Sequence, residues 1–374
     1  MEYDAGAVAA NFNLAGRLIR SESFGSGHIN DTYCLTCEKD RRQINYILQR
    51  INHHVFKNPP AMMENIRRVT NHIRRKLQEQ QSGLVSRQLI VIDAKDGADF
   101  FHDDRGNYWR LYNRIENAVT HDTIESPELA YEAARMFGWF AEMLTDLPGP
   151  PLHETIVDFH ATPKRFKTFM EVLQQDPCNR AKNVRAEIDF VLENAGICDV
   201  LLNYADNGKI PVRITHNDTK INNVLLDEKT HKGVCVIDLD TVMPGLSLYD
   251  FGDMVRTATN PAEEDEPDLS IVTMRMPIFE MLLKGFAEET HTFLTPTEKK
   301  NMAFAGKLIT FEQMIRFLAD HLAGDIYYKI HREGHNLDRC RTQMKMVQSI
   351  IAQEEQMNAL ADSVFEELTL AKQG

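Results

Sequence analysis

The sequence predicts a two-lobed α+β fold: a small mixed β lobe over residues 1–112, a larger, mainly helical lobe over 113–374, and a cleft between them. Three observations carry this. Strand-like runs crowd the first 112 residues, apolar residues recur at helical spacing from Ser126-Pro127 onward, and one island of short β-type runs, Pro211 to Asp240, interrupts the helical half. A strand lobe joined to a helical lobe leaves a cleft, a preferred place for a small-molecule site.

Phe24-Gly25-Ser26-Gly27-His28-Ile29-Asn30 reads as a small-residue turn, followed by strand-like runs Thr32 to Thr36 and Gln43 to Gln49 around the charged turn Glu38 to Arg42. Pro59-Pro60 opens a helix whose Met62, Ile66, Val69 and Ile73 share a face. Leu89 to Ile92 and Tyr108 to Tyr112 read as further strands, and Tyr112 to Ala118 as the joint between the lobes. Beyond it, Leu129, Ala133, Met136, Phe137, Phe140, Met143 and Leu144 form a helical stripe. Within the island, the β-type runs are Val212-Arg213-Ile214, Val224-Leu225-Leu226 and Val234 to Ile237.

With 374 residues, 43% of them apolar, the chain can bury a large core. Its formal charge of -13 speaks against nucleic acid or an anionic membrane as a partner, so a charged ligand must be held by local groups. Met1 to Asn13 lacks the basic and apolar segments of a signal peptide, and no apolar run reaches membrane-spanning length; the expected location is the cytoplasm. The six cysteines are scattered, and Cys34 and Cys37 fall on opposite strand faces with no second pair at zinc-finger distance.

The strongest chemical signal is Thr215-His216-Asn217-Asp218-Thr219-Lys220-Ile221-Asn222-Asn223, which carries the catalytic-loop spacing His-x-Asp-x-x-x-x-Asn. Asp238 follows at the end of an apolar strand, in Val236-Ile237-Asp238-Leu239-Asp240. Phosphoryl transfer asks for an aligned acceptor hydroxyl, a proton acceptor and a metal that neutralises phosphate charge. Asp218 is the candidate base. The Asn223 amide oxygen and the Asp238 carboxylate are candidate Mg²⁺ ligands, with Asp240 a second-metal or substrate ligand. This combination predicts a protein-kinase-like arrangement using ATP and Mg²⁺. The alternative is that Asn217 and Asp218 form a turn and Asp238 caps a loop. Asp250-Phe251-Gly252 imitates a metal-binding triplet but does not end an apolar strand, which leaves Asp250 a structural role.

Gly25, Ser26 and Gly27 precede a strand, where backbone N–H groups can approach phosphate, although such a pair is also an ordinary turn. The phosphate-pairing lysine of the third strand is missing: Gln49 stands in its phase, Arg50 faces the other way, and Glu64 in the following helix loses its usual partner. Trp109 and Tyr112 also suit the core of the last strand. The run Glu263-Glu264-Asp265-Glu266 reads as a solvated face.

On the catalytic loop and the later Ile237-Asp238, the sequence resembles the aminoglycoside phosphotransferase and choline kinase superfamily. Gly25 to Asn30, Thr215 to Asn223, Ile237 to Gly245 and Arg316-Phe317-Leu318-Ala319-Asp320 resemble, within it, the N-acetylhexosamine 1-kinase family over nearly the whole chain. That resemblance implies ATP- and Mg²⁺-dependent phosphorylation of the anomeric hydroxyl of N-acetylglucosamine or N-acetylgalactosamine. It implies Asp218 as base beside the substrate, Asn223 and Asp238 as metal ligands, and His28, Arg316 and Tyr327 as sugar contacts; read from the residues themselves, Asp320 and Asp325 are further candidates for sugar hydroxyls. Gln49 fits a subgroup without the lysine, and adenine is expected along Tyr112-Asn113-Arg114-Ile115. Arg316 also fits a buried arginine paired with Asp320. A kinase of an amino alcohol or aminoglycoside, or a catalytically dead kinase fold acting as a binding module, are the competing readings.

Overall fold

A short helix, α1 (Ala5–Ala9), leads into an antiparallel ladder of β1 (Arg17–Ser23), β2 (Asp31–Lys39) and β3 (Arg42–Ile51). The computed structural model describes residues 3–25 and 29–371. Asp40 and Arg41 join β2 to β3 at φ 51° and 62°, the paired left-handed conformation that matches strand twist in a two-residue hairpin. The hairpin is therefore tighter and its strands longer than the sequence reading has them. β1 went unread because it is an edge strand with mostly exposed side chains, which leaves no alternating pattern.

Asn58 caps α2 (Pro59–Glu79) by accepting from the Ala61 N–H, with prolines in the first turn where no N–H is missed. After it, β4 (Phe101–His102) and β5 (Tyr108–Asn113) complete a five-stranded sheet in the order β1-β2-β3-β5-β4. Leu89 to Ile92, expected as a strand, makes only an isolated bridge, Val91 to Tyr112. The Asn113 side chain intercepts the rest, accepting from Ile90 N–H (2.6 Å) and donating to Gln88 O (3.0 Å).

The chain then passes through β6 (Ala118–Val119) into α3 (Pro127–Met143), capped by Ser126. Helices α4 (Thr162–Gln175), α5 (Arg185–Glu193) and α6 (Val200–Asp206) follow, then β7 (Arg213–Thr215), β8 (Val224–Asp227), β9 (Gly233–Val236) and β10 (Met243–Gly245). β10 pairs with β7, and β6-β8-β9 form a second small sheet. The lobe closes with α7 (Ser247–Ala258), α8 (Met276–Thr290), α9 (Pro296–Lys300), α10 (Met302–Ala323) and α11 (His335–Ala371).

The main core joins α2, α3, α7, α8 and part of α10, and a second cluster packs Phe169, Ile188, Phe311, Phe317 and Leu318 between α4, α5 and α10. Asp250-Phe251-Gly252 lies inside α7. Phe251 is fully buried, and a Cβ at Gly252 would stand 2.5 Å from Ala305 O, so glycine there permits α7 and α10 to cross closely. Among the described residues no helix is long and apolar enough to cross a membrane.

Candidate active site

The loop from β7 to β8 carries Asp218, and the loop from β9 to β10 carries Asp238; the pairing of β7 with β10 brings the two together. Buried polar groups fix the first loop. Asp250 accepts the His216 N–H (3.0 Å) and Asn217 N–H (2.7 Å), while Asp253 accepts the Thr219 N–H (2.9 Å). Thr241 Oγ1 donates to His216 O (2.7 Å), and Asn217 Nδ2 donates to Thr241 O (2.8 Å), tying one loop to the other. The His216 ring, 2.9 Å from Ile237 O, packs edge-on against Phe137 and Phe140. His160 reaches Asn217 O (3.2 Å) with one ring nitrogen and Glu312 (2.9 Å) with the other. Fully satisfied networks of this kind rigidify what they hold.

Asn223 Nδ2 donates to the main-chain O of Asp218 (2.8 Å) and to its Oδ2 (3.3 Å), and the Lys220 ammonium is 3.0 Å from Oδ1. Burial alone would raise the Asp218 pKa. Lys220, then His216 and Arg256, outweigh it and hold the carboxyl below the ordinary carboxylate range. Asp238 stands just past β9 at φ 57°, ψ 59°, a left-handed conformation that costs on the order of 1 kcal/mol for a residue with a Cβ. Its side chain is exposed. Burial of its surroundings and the charges of Asp240 and Asp218 push its carboxyl up to about 7, with cleft water screening part of that repulsion.

An excess of carboxylate beside a carbonyl-type oxygen suits a hard divalent cation. Among the described residues no donor is bonded to Asn223 Oδ1, and no cluster of three or more His, Cys, Asp or Glu has metal-holding geometry. One carboxylate and one amide oxygen, completed by phosphate and water, is the kind of partial set that Mg²⁺ accepts.

Asp240 is buried and both its oxygens meet the strand lobe: Arg110 Nη1 donates to Oδ1, and Asn30 Nδ2 donates to Oδ2 (2.8 Å). Gln49 pairs with Arg110 across β3 and β5, and Gln49 Oε1 accepts from Arg110 Nε (2.9 Å). The sequence reading missed Arg110. A basic residue inside the otherwise apolar and aromatic Trp109-Arg110-Leu111-Tyr112 was its only signal in the sequence.

On the nucleotide side, Gly25 adopts φ 75°, whereas Ser26, Gly27 and His28 lie outside the described residues. Arg50 turns away to bind Asp31 (2.6 Å) and so does not fill the lysine's place, and Glu64, the lysine's expected partner, meets His153 (3.0 Å) at the surface. Tyr112 is buried with its ring 5.2 Å below the Arg110 guanidinium, and its hydroxyl has no partner among the described residues. Arg114 lies over Phe24 (5.2 Å), and Ile115 packs with Val234 and Cys235 against Leu225 and Ile237.

Arg316 and Tyr327 share a cavity of about 230 Å³ with Arg165, Asp320 and Tyr328, between α4 and α10. Arg316 is not paired with Asp320. Its guanidinium binds Gln313 Oε1 (3.1 Å) and lies near the Phe159 and Tyr328 rings, one helical turn beyond Glu312. Asp320 instead accepts the N–H groups of Ile326, Tyr327 and Tyr328 at 2.8–3.0 Å and Asn336 Nδ2, while Asp325 binds Arg180 (2.5 Å) and Asn336. These two carboxylates hold the turn that presents Tyr327, which is 67% exposed. The acidic run lies at the surface, as expected, with Glu263 and Glu264 exposed; within it Glu264 pairs with Arg256 and Arg339, and Asp265 with Arg332 and His335.

Residues 21–272 match the model of the phosphotransferase enzyme family, APH. Among solved structures, the chain is similar to an aminoglycoside phosphotransferase from Alicyclobacillus acidocaldarius, with a TM-score of 0.59 at 14% identity over 99% of this chain and 97% of that one. A spectinomycin phosphotransferase in complex with ADP and spectinomycin gives a TM-score of 0.53 at 11% identity, over 93% of this chain and 96% of that one. Choline kinase from Cryptosporidium parvum gives 0.51 at 11% identity, over 96% of each chain. The β-sheet lobe and helical lobe thus follow the protein-kinase-like arrangement of these structures.

Proposed function

The chain belongs to the phosphotransferase enzyme family, and on that premise we propose that it transfers a phosphoryl group from ATP to the anomeric hydroxyl of an N-acetylhexosamine. The observation that carries the kinase part is the joining of Asp218, Asn223 and Asp238 by two loops locked to one another. Asp218, kept ionised by Lys220, aligns the acceptor hydroxyl and takes its proton as the new P–O bond forms and the bond from the γ-phosphorus to the departing ADP breaks. Asn223 and Asp238 are the residues that would hold Mg²⁺, which when bound neutralises charge on the phosphoryl group in flight. Asp240, with both oxygens committed, supports this pair from behind. Gly25 to Gly27 and the segment Tyr112 to Ile115 are assigned to the nucleotide.

The acceptor reading is supported by charge. A cationic acceptor such as choline or an aminoglycoside needs an acidic or aromatic cage. The cavity beside Arg316 does carry the Tyr327 and Tyr328 rings, but two arginines, Arg165 and Arg316, stand among them to repel a cation, and its carboxylate Asp320 is spent on backbone N–H groups. In the acidic run, Glu264 and Asp265 are already paired with Arg256, Arg339 and Arg332. A planar guanidinium and an exposed phenol suit neutral sugar hydroxyls and an acyl carbonyl. Glu312, His160 and the Asn217 carbonyl link the helix of Arg316 to the loop of Asp218.

The test is a side-by-side acceptor panel with Mg-ATP: N-acetylglucosamine, N-acetylgalactosamine, glucose, choline, ethanolamine and an aminoglycoside. The N-acetylhexosamines should give the highest kcat/KM. Preference for a cationic acceptor would overturn the sugar reading, and no transfer to any alcohol would favour a binding module.

A further inference from the structure

We infer that Arg110 is the positioning residue of the metal loop and replaces, from β5, the cation that the third strand lacks. The inference rests on the phosphotransferase reading above and deepens it. In a kinase with a strand lysine, that ammonium pairs with a helix glutamate. Here the lysine's position is Gln49, the helix residue Glu64 is bound to His153 at the surface, and a cation arrives from the next strand.

Geometry places the guanidinium at the tip of Gln49. Gln49 and Arg110 are direct register partners, and Gln49 Oε1 accepts from Arg110 Nε at 2.9 Å, so a lysine at 49 would extend to the same spot. Gln49 is oriented in turn by donating to Thr32 Oγ1 (3.1 Å) on β2. The Arg110 side chain is 1% exposed and that of Asp240 is 4% exposed. Closed to solvent, the guanidinium acts on the nucleotide site through Asp240, two residues beyond Asp238.

Asn30 makes the same connection from another element. Its Nδ2 donates to Asp240 and its Oδ1 accepts the Asn52 N–H (2.9 Å) at the end of β3. Two strand-lobe segments, β5 and the residue ahead of β2, thus converge on one carboxylate of the metal loop, and Gln49 and Asn52 at the end of β3 brace each of them. Asp238 is held in a left-handed conformation, and a loop under such strain keeps its geometry only when its surroundings determine it. Removing one partner of a buried ion pair leaves the other charge unpaired, so loss of Arg110 should release Asp240 and with it the placement of Asp238.

The experiment compares Arg110→Gln, Asp240→Asn, the double variant, and Gln49→Lys in the Arg110→Gln background. Two readouts are taken: the Mg²⁺ concentration giving half-maximal turnover, and the shift in unfolding midpoint on adding Mg-ADP. Each single variant should raise the Mg²⁺ requirement about 10–100-fold, the range for residues supporting a metal ligand, and reduce the Mg-ADP shift. The double variant, which leaves no unpaired buried charge, should be no worse than the worse single, because the pair acts as a unit. Gln49→Lys should recover much of the loss.

A rise in the KM for ATP in Arg110→Gln but not in Asp240→Asn would mean direct phosphate contact and overturn the inference. Additive effects, or lower thermal stability with unchanged Mg²⁺ response in all four variants, would overturn it as well. No Mg-ADP shift in the unaltered chain would remove the phosphotransferase reading itself, and this inference with it.

Discussion

The Lys220 ammonium lies 3.0 Å from the Asp218 carboxylate and, with His216 and Arg256, keeps that carboxyl below its ordinary pKa. A base so placed is ionised at neutral pH and ready to take a proton. Asp218→Asn should therefore lower turnover by about 10²–10⁴-fold, the usual worth of positioned proton transfer. Stabilisation by Mg-ADP in a thermal shift should persist, since Asp218 is not assigned to the nucleotide. Near-wild-type turnover in the folded variant would remove Asp218 from its role.

Asp238, exposed, and Asp250, buried, have opposite tasks. Asp238→Asn should raise the Mg²⁺ requirement steeply or abolish activity. Asp250→Asn weakens acceptance of the His216 and Asn217 N–H groups and should cost about 1–3 kcal/mol of stability, with the Mg²⁺ requirement of the folded fraction nearly unchanged. Magnesium titrations at matched folded fraction separate the two. The reverse pattern would mean that Asp250 is the metal ligand.

The His160–Glu312 pair makes stability depend on pH. Burial alone would lower the His160 pKa, but Glu312 at 2.9 Å raises it above its ordinary 6.5. The stabilisation is thus fully present below pH 6.5 and fades as pH rises through the higher folded value. Glu312 is shifted down, so its share is present above its ordinary 4.5 and is lost only in stronger acid. Denaturant unfolding of the native chain and His160→Gln should show a gap that is widest near pH 5.5 and narrower at pH 8.5. A gap that widens with pH would contradict this assignment.

Arg316→Ala and Tyr327→Ala should each raise the acceptor KM about tenfold or more, as expected when a polar contact to bound substrate is removed, with the KM for ATP nearly constant. Arg316→Ala also removes a stem packed by Phe159 and Tyr328, so an unfolding measurement accompanies the kinetics. An equal change in both KM values would place these residues outside the acceptor pocket.

Signals written in local spacing were legible in the sequence. The hairpin around Asp40-Arg41, the helices after Pro59 and Ser126, and the loop from Thr215 to Asn223 each depend on a few neighbouring residues. Edge strand β1 was not legible, because exposed side chains carry no alternation, nor was β10, a three-residue strand containing Pro244. The link from Gln49 to Arg110 and Asp240 was hidden for another reason. It depends on the register of β3 against β5 and on how the lobes meet, which no window of sequence contains. The same holds for the carboxylates at 320 and 325, whose types suggest sugar contacts while their surroundings make them holders of a turn.

Transfer to the anomeric oxygen is read out by phosphorus NMR of the product formed from N-acetylglucosamine or N-acetylgalactosamine with Mg-ATP. The expected product is a sugar 1-phosphate, its phosphorus coupled to the anomeric proton. A 6-phosphate, or phosphate transferred only to choline, ethanolamine or an aminoglycoside in the same assay, would contradict it.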